Sequence, residues 1–347
     1  MNTMPKIYCD HYCEIAELLP NTELYYEFDR LPAVAGAVYI VGRTQLNNNL
    51  VHIRKMAESG LYTMVFSNPA EGSETLDGHL TRYGIRDLVQ TGRLKCIAGG
   101  NMPGDLNCLT YDHFLAQPER YSENIQTQAE FEQYWTNVHK PYQFLFLNGR
   151  ARPHRIALIQ QLGDLLDQAL WSCLDGEHTR TLPNYYEFPF FTDRKVDAQG
   201  WVKPQLFNNL WGEIYLHAPA YTDTYFSLVT ETVFYQPWSF RTEKIAKCLY
   251  IGHPWICVAN PGFYRDLRNL GFKTFDPIID ESFDSIDDPT NRLARIVAVT
   301  RDTCAQDMLQ FMSAVEPICK YNQQHLLEIT ARDRSEFPAR FFHYINE

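Results

Sequence analysis

The sequence predicts an α/β fold made of two Rossmann-like, doubly wound domains, and two observations lead to this prediction. Short apolar runs alternate with amphipathic stretches along much of the chain, which is typical of parallel strands linked by helices. The chain has 347 residues, which is enough for two domains with separate hydrophobic cores. We expect an N-terminal domain over residues 1–140, a C-terminal domain over 141–330, and a tail over 331–347 that packs back on the first domain.

Strands of the first domain are predicted from apolar runs that end at glycine or at Asn-Pro. The run Ala-Val-Tyr-Ile-Val before Gly42 is the clearest of them. Helices are predicted where leucine, isoleucine and methionine recur every three or four residues. The predicted strands are residues 37–41, 61–67 and 94–98, and the predicted helices are residues 46–59, 76–88, 111–114 and 131–135.

A second series of alternating strands and helices is predicted to begin near Pro141. A helix is predicted with Arg155 in its first turn and with an apolar face that extends as far as Leu166 and Leu170. Residues 182–211 are rich in aromatic residues, proline and glycine, so we interpret them as a long irregular insertion of the functional kind. The predicted strands are residues 144–147, 228–230, 255–259 and 273–275. Further helices are expected near residues 293–297 and 308–312, and residues 337–345 are expected to pack back on the first domain.

A dense group of cations follows the strand at residues 144–147. Asn148 opens a turn that contains Arg150, Arg152, His154 and Arg155 within eight residues of an otherwise acidic chain. The guanidinium group can donate two parallel hydrogen bonds to one oxyanion, so this turn could hold a phosphate group. A solvated basic loop is the alternative that the sequence leaves open.

A second polar group follows the strand at residues 228–230. Glu231 ends that strand, and a helix is predicted to open on Thr242, Glu243 and Lys244 before it stops at Gly252. A helix N-terminus presents unpaired N–H groups and the positive end of the helix dipole, which suits a phosphate. The alternative is an ordinary α/β unit whose charged residues cap the ends of its elements.

This ordered series over residues 225–275 resembles the donor-binding segment of the α1,3-fucosyltransferases. Thr242-Glu243-Lys244-Ile245 matches that segment closely, and so does Gly252-His253-Pro254 with the apolar strand after it. The strand that begins at Phe226 matches loosely, because Thr230 stands where the family has phenylalanine and Thr232 where it has asparagine. The resemblance implies a GT-B-like fold, in which two such domains face a cleft, and an inverting transfer of a sugar from a nucleotide sugar to a hydroxyl acceptor.

The resemblance also implies roles for individual residues. In the family, a turn led by asparagine has a proline two residues before an arginine that contacts the donor phosphates, and Pro153 and Arg155 fit that spacing. The donor-binding residues are then Asn148, Arg152, Arg155, Glu231, Thr242, Glu243 and Lys244. We expect the general base to come from the first domain, with Glu71 and Asp105, both placed after predicted strands, as catalytic candidates.

No metal and no cofactor other than the donor nucleotide sugar are expected. The chain has no Asp-x-Asp sequence, and its densest acidic string, which ends at Asp287-Asp288, is placed to cap a helix. Cys9, His11 and Cys13 are spaced like part of a metal site, but no second ligand pair at zinc spacing accompanies them. The cationic residues around Arg155 and Lys244 are expected to replace a metal at the diphosphate.

The composition of the chain narrows the remaining classes of function and the expected cellular location. The net charge of −11 disfavours general binding to nucleic acid, so DNA is considered only as the acceptor of a phage-type base glycosyltransferase. Nine scattered cysteines are typical of a reducing compartment, and no apolar run is long enough to span a bilayer, so a cytoplasmic location is expected. The expected partners are a nucleotide sugar and an acceptor glycan or other hydroxyl acceptor. A non-catalytic α/β binding module that retains the donor fold is the alternative.

Overall fold

A computed structural model of the chain describes residues 4–11, 13–70, 75–100, 106–118, 133–149, 151–173, 195–196, 202–203, 216 and 218–347. The chain divides into two compact units. Unit 1 consists of Met1–Ala116, Trp238–Phe240 and Ile329–Glu347, and unit 2 consists of Gln117–Pro237 and Arg241–Glu328. Each unit contains a parallel sheet, so the predicted α/β class is confirmed.

Unit 1 is built on six parallel strands in the order β2-β1-β3-β4-β5-β6. Helices α1 to α3 cover one face, where Leu46, Ile53 and Leu80 are buried, and Phe337 and Phe341 of the last helix pack on the other. The strands are β1 (Ile7–Asp10), β2 (Thr22–Tyr25), β3 (Val38–Val41), β4 (Thr63–Asn68), β5 (Lys95–Ala98) and β6 (Leu109–Thr110), and the helices are α1 (Arg43–Ser59), α2 (Leu76–Arg82) and α3 (Arg86–Gln90).

Unit 2 is built on four parallel strands in the order β12-β11-β7-β8. Its strands are β7 (Tyr142–Asn148), β8 (Ala169–Cys173), β11 (Thr224–Thr230) and β12 (Trp255–Val258), and β9 (Lys195–Val196) and β10 (Val202–Lys203) form a separate antiparallel pair. Its helices are α4 (Pro153–Leu162), α5 (Ala218–Thr222), α6 (Glu243–Ile251), α7 (Phe263–Asn269) and α8 (Pro289–Cys304), and helix α9 (Met308–Asn346) begins in this unit and ends in unit 1.

The strand predicted at residues 273–275 is not formed. The backbone N–H and C=O of Lys273 bond to the side-chain amide of Asn322, and the N–H of Phe275 donates to the carboxylate of Glu281 at 2.7 Å. These side chains take the backbone groups that a sheet neighbour would otherwise pair. The apolar residues of this segment therefore lie in an irregular connection.

Two predicted helices end earlier than expected. Helix α4 stops at Leu162 because Gly163 adopts a φ of 51°, so Leu166 falls in a short 3-10 turn and Leu170 in β8. The helix predicted over residues 76–88 divides into α2 and α3 at Gly84, whose φ is 64°. Left-handed glycines end helices in this way because they carry no Cβ.

Other expectations also changed. Helices were predicted over residues 111–114 and 131–135, but residues 113–114 and the described part of 131–135 form turns and residues 111–112 have no regular structure. The helix expected near residues 308–312 is much longer than predicted, because α9 continues to Asn346 and has 39 residues. Strands β1, β2, β6, β8, β9 and β10 were not predicted. Apart from β9 and β10, the predicted insertion at 182–211 lies outside the described residues.

Candidate functional site

The candidate site lies at the carboxyl ends of β7 and β11 in unit 2. The chain runs from β7 to β8 on one side and then returns to place β11 on the other side of β7, so the direction of the connections changes between these two strands. We call this place the switch point of the unit. In open parallel sheets, ligands bind outside the carboxyl ends of the strands at such a point.

Asn148 and Thr230 are the last residues of the two strands, and their side chains join them. The Thr230 hydroxyl donates to Asn148 Oδ1 at 2.6 Å, and Asn148 Nδ2 donates to the Ser172 carbonyl at 3.3 Å. Both side chains are buried. Asn148 therefore lies at the switch point, and its amide connects three neighbouring strands there.

Arg155 reaches the same point from the first turn of α4. Its Nη2 donates to the Thr230 carbonyl at 3.0 Å, and the side chain is buried. Burial lowers the pKa of Arg155 to about 10, and the charge of Arg152 adds to that shift. At neutral pH the guanidinium is still charged. Arg152 is the residue just before α4, and Arg150, the third arginine of the turn, lies outside the described residues.

His154 is part of this arrangement, although it was not predicted to bind the donor. Its Nε2 lies 3.1 Å from the Glu231 carbonyl, and its ring stacks on Phe234 with centroids 5.0 Å apart. Burial and then the charge of Arg155 lower its pKa to about 3, so the ring is neutral at physiological pH. A carbonyl only accepts, so Nε2 carries the proton. Its place among the arginines was the only sequence signal for it.

Glu231 follows β11 directly and contacts the start of helix α6. Its Oε1 accepts a hydrogen bond from the backbone N–H of Thr242 at 3.1 Å. The side chain has no exposed surface, and Oε2 has no hydrogen-bond partner within the described part of the chain. Burial raises the pKa of Glu231. A buried carboxylate oxygen without a partner is costly, and a donor group on a ligand would relieve that cost.

Thr242 caps helix α6, as the sequence predicts. Its hydroxyl accepts from the Lys244 backbone N–H at 3.3 Å, and Lys244 Nζ lies 3.0 Å from that hydroxyl and 2.6 Å from Glu243 Oε1. Burial alone would raise the pKa of Glu243, but the charges of Lys244 and Lys247 outweigh burial and lower it. Lys244 is thus held at the helix N-terminus by an ionised carboxylate, which an incoming anion would replace.

The start of helix α7 provides a contrast in the same unit. There the backbone N–H groups of Tyr264 and Arg265 donate to the two carboxylate oxygens of Asp284 at 3.0 and 3.1 Å. A helix start that is closed by a carboxylate in this way has no capacity for a phosphate. Asp288 likewise caps α8 through the N–H of Asn291 at 2.8 Å, which is the capping role expected for the acidic string.

The structure brings together Asn148, Arg155, Glu231 and Thr242 through the contacts above, with Lys244 and Glu243 on the first turn of α6. The two predicted catalytic carboxylates, Glu71 and Asp105, lie outside the described residues. Within the described ranges there is no group of three or more His, Cys, Asp or Glu side chains that could hold a metal. The described helices also include none that is long and apolar enough to cross a membrane.

Comparisons with known proteins returned no match, whether against protein-family models, curated proteins or solved structures.

Proposed function

We propose that this protein is a nucleotide-sugar-dependent glycosyltransferase of the GT-B class, inverting and metal-independent, that transfers a sugar to a hydroxyl acceptor. One observation carries the proposal. At the switch point of unit 2, a buried arginine, a buried glutamate whose Oε2 has no partner among the described residues, and a lysine-bearing helix N-terminus meet at the ends of two parallel strands. Open parallel sheets bind nucleotides at such points.

The charges suit the chemistry of a departing nucleoside diphosphate. Negative charge grows on the diphosphate as the bond to the sugar breaks, and fixed cations lower the energy of that transition state. Arg155 is already buried and fixed to Thr230, so it need not reorganise as the charge develops. Lys244 adds a second cation at the start of a helix whose dipole has the same sign.

Glu231 suits the neutral part of the donor. Its buried Oε2 is free to accept a hydrogen bond as far as the described residues show, and ribose or sugar hydroxyls supply donors of that kind. Glu243 could exchange its ion pair with Lys244 for a hydroxyl when the diphosphate arrives. The resemblance of residues 225–275 to the α1,3-fucosyltransferases supports the same assignment. The cytoplasm is the proposed location, because none of the nine cysteines forms a disulfide.

The test is calorimetric titration of the protein with UDP, GDP and dTDP, followed by turnover assays with sugar nucleotides of the bases that bind. We expect at least one diphosphate to bind. Lys244→Ala should lower turnover by about 100- to 1000-fold in a folded protein, because it removes one electrostatic contact to the leaving group. Lys320→Ala is the control, since Lys320 is an exposed lysine of the same unit that pairs with Glu316 on α9, and it should leave turnover unchanged.

Added salt tests whether the diphosphate site is cationic, and added chelator tests whether transfer is independent of metal. Salt should weaken diphosphate binding, because the site is cationic and partly screened by solvent ions. Excess EDTA should change turnover by less than about twofold, since cations of the protein offset the diphosphate charge. Absence of binding to all three diphosphates would refute the proposal. Binding without turnover of any sugar nucleotide would instead identify a nucleotide-binding module.

A further inference from the structure

Two cysteines of unit 1 lie at the same level of neighbouring strands. Cys96 belongs to β5, and Cys108 directly precedes β6, the last strand in the sheet order. The two strands are parallel, and Ile97 lies opposite Leu109. One residue earlier on both strands, this register places Cys96 opposite Cys108. Residues at the same level of neighbouring strands have their side chains on the same face, so the two thiols share one face of the sheet.

The two thiols are in contact on that face. Both pack in the core cluster between the sheet and helices α1 to α3. Their side chains form a hydrogen bond with each other, and Cys108 Sγ also donates to the Leu109 carbonyl at 3.6 Å. Neighbouring strands lie about 4.8 Å apart, and disulfides join cysteines whose Cα atoms are roughly 4.4 to 6.8 Å apart. A disulfide between Cys96 and Cys108 therefore needs no rearrangement of the strands.

Tyr344, near the end of helix α9, joins the two segments beside the thiols. Its hydroxyl accepts a hydrogen bond from the Cys96 backbone N–H at 2.8 Å and donates to the Asn107 carbonyl at 3.0 Å. The Tyr344 side chain is buried. One of these bonds is made by Cys96 itself and the other by the residue before Cys108. The two thiols are therefore held close to each other in the reduced protein.

Exposure to solvent differs between the two cysteines. Cys96 has 1% of its surface exposed, whereas Cys108 is partly exposed. The hydrogen bond with Cys108 and then burial raise the pKa of the Cys96 thiol, so Cys96 stays protonated at neutral pH. A small oxidant from solvent therefore reaches Cys108 first. Cys96 is placed to react second, with the oxidised sulfur beside it.

Cys9 and Cys13 provide a contrast within unit 1. Their thiols are also hydrogen-bonded to each other, but both cysteines are buried. Thiol contact is therefore present there without access from solvent, whereas Cys96 and Cys108 combine contact with access. Cys304 on α8 is the other partly exposed cysteine of the nine, and it serves as a matched control in unit 2.

We propose that Cys96 and Cys108 form a modification site for peroxides, at which the two thiols become a reversible disulfide. The proposal is independent of the proposed transferase function. Cys108 Sγ attacks one oxygen of hydrogen peroxide, the O–O bond breaks, and the thiol proton leaves with the other hydroxyl as water. Cys96 Sγ then attacks the sulfur of the sulfenic acid, and the S–O bond breaks. The hydroxyl group leaves with the Cys96 proton as a second water.

Hydrogen peroxide is the only co-reactant that this sequence needs. The two thiols together lose two electrons and two protons, and hydrogen peroxide takes up both to form two molecules of water. A dithiol reductant returns the disulfide to two thiols by exchange. Disulfides in the cytosol are usually transient for this reason, which agrees with the proposed location.

The test maps disulfides in the whole protein after oxidation. The reduced protein is treated with hydrogen peroxide, remaining thiols are blocked with iodoacetamide, and a digest made without reductant is analysed by mass spectrometry. The crosslink between Cys96 and Cys108 should be at least about tenfold more abundant than one between Cys9 and Cys13, because only the first pair is accessible. Dithiothreitol should remove it.

Single substitutions separate the two steps. Cys96→Ser should stop at the sulfenic acid of Cys108, which dimedone labels, and Cys108→Ser should leave Cys96 unoxidised. Cys304→Ser should form the crosslink as the wild type does. Thermal denaturation verifies folding. If Cys96→Ser does not fold, dimedone present during oxidation of the wild type decides the order, since it should label Cys108 and not Cys96.

Four results would overturn the proposal. The first is a wild type in which Cys108 stays reduced or is oxidised to the sulfinic acid without forming the crosslink. The second is a crosslink between Cys9 and Cys13 that forms as readily, and the third is dimedone on Cys96 in place of Cys108. The fourth is a disulfide that joins Cys108 of two molecules, seen as a dimer on a gel run without reductant.

Discussion

The sheets of the two units have the same strand order around their switch points but end their first strands differently. In unit 1, β1 ends at Asp10, a carboxylate that accepts from a helix N-terminus and faces His11. In unit 2, β7 ends at Asn148, a neutral amide that is bonded to Thr230 and Ser172. One topology therefore presents a carboxylate with a histidine in one unit and an amide beside arginines in the other. The second combination suits an anion.

The helices after these strands extend the contrast. The acid of unit 1 contacts α1, the helix that follows the neighbouring strand β3. The acid of unit 2, Glu231, contacts α6, the next helix after its own strand, and its second oxygen has no partner among the described residues. The comparison teaches that one strand order can present different chemical groups at its switch point, because the residues at the strand ends differ.

The largest effect is expected when the residue that ends β7 in unit 2 is changed to the aspartate that ends β1 in unit 1. In Asn148→Asp, a carboxylate oxygen replaces the amide NH₂ group that donates to the Ser172 carbonyl. The substitution also buries a charge, because this side chain has only 1% of its surface exposed. We expect the free energy of unfolding to fall by about 3 kcal/mol, measured by urea denaturation. Affinity for the diphosphate should fall as well, since the new charge repels it.

The reciprocal change is the control. Asp10→Asn keeps an oxygen that can accept from Gly42, so its cost should be about 1 kcal/mol. Thr230→Val removes only the hydrogen bond to Asn148 and should also cost about 1 kcal/mol. If Asn148→Asp and Asp10→Asn lower the free energy of unfolding equally, the two strand ends are interchangeable and the proposed difference between them is refuted.

A second prediction concerns the close approach at Gly42 in unit 1. Gly42→Ala places a methyl group 2.7 Å from Asp10 Oδ2, although the backbone, with a φ of −84°, tolerates alanine. The carboxylate must move and lose its bond to the N–H, so we expect a loss of about 2 kcal/mol in thermal or urea denaturation. Gly149→Ala in unit 2 is the control, because its Cβ would meet no described atom within 4 Å. Similar stabilities of the two variants would contradict the prediction.

The smallest effect is a difference in pH dependence between two carboxylates of unit 2. Burial raises the pKa of Glu231 above its ordinary value of 4.5, so the folded protein keeps this proton longer than the unfolded chain does. Stability from this group is therefore present below about pH 4.5 and is lost as the pH rises through the folded pKa. For each pH unit between the unfolded and folded pKa values, the contribution of Glu231 to the free energy of unfolding falls by about 1.4 kcal/mol. Glu231→Gln should gain stability relative to the wild type over that interval.

Glu243 should show the opposite sign. Its pKa is lowered in the folded protein, so its contribution is present above 4.5 and is lost as the pH falls through the folded pKa. Glu243→Gln should therefore lose stability relative to the wild type as the pH rises toward about 5. Urea denaturation of both variants across the acidic range up to neutral pH measures the two slopes, and slopes of the same sign would exclude these assignments.

Much of the local structure was predictable. The three strands predicted for unit 1 form within two residues of their expected positions, and helix α6 opens at Thr242 as its capping hydroxyl indicates. Such signals are short in range, since a cap or an apolar run acts on its own neighbours. The strand predicted at residues 273–275 failed because Asn322 and Glu281, distant or out of pattern in the sequence, take its backbone hydrogen bonds.

The candidate site was also predictable only in part: its residues could be selected from the sequence, but their contacts could not. Arg155, Glu231 and Lys244 could be selected from the sequence, because charges that follow strands and open helices are visible there. Their contacts could not, since Arg155 meets the Thr230 carbonyl across 75 residues. Asp10 ends a strand of four residues, and His11 follows it. That strand is too short for a periodic signal, so His11 was considered only as part of a metal site.

By itself, the sequence determined the α/β class, the start of helix α6 at Thr242 and the chemical types of the residues at the strand ends. These depend on local spacing, capping and composition. Only the tertiary structure decided which strand ends are neighbours, that Glu231 is buried against the start of α6, and that Asp10 approaches Gly42. The physical reason is that strand order and burial result from packing between segments that are far apart in the chain, which no local pattern records.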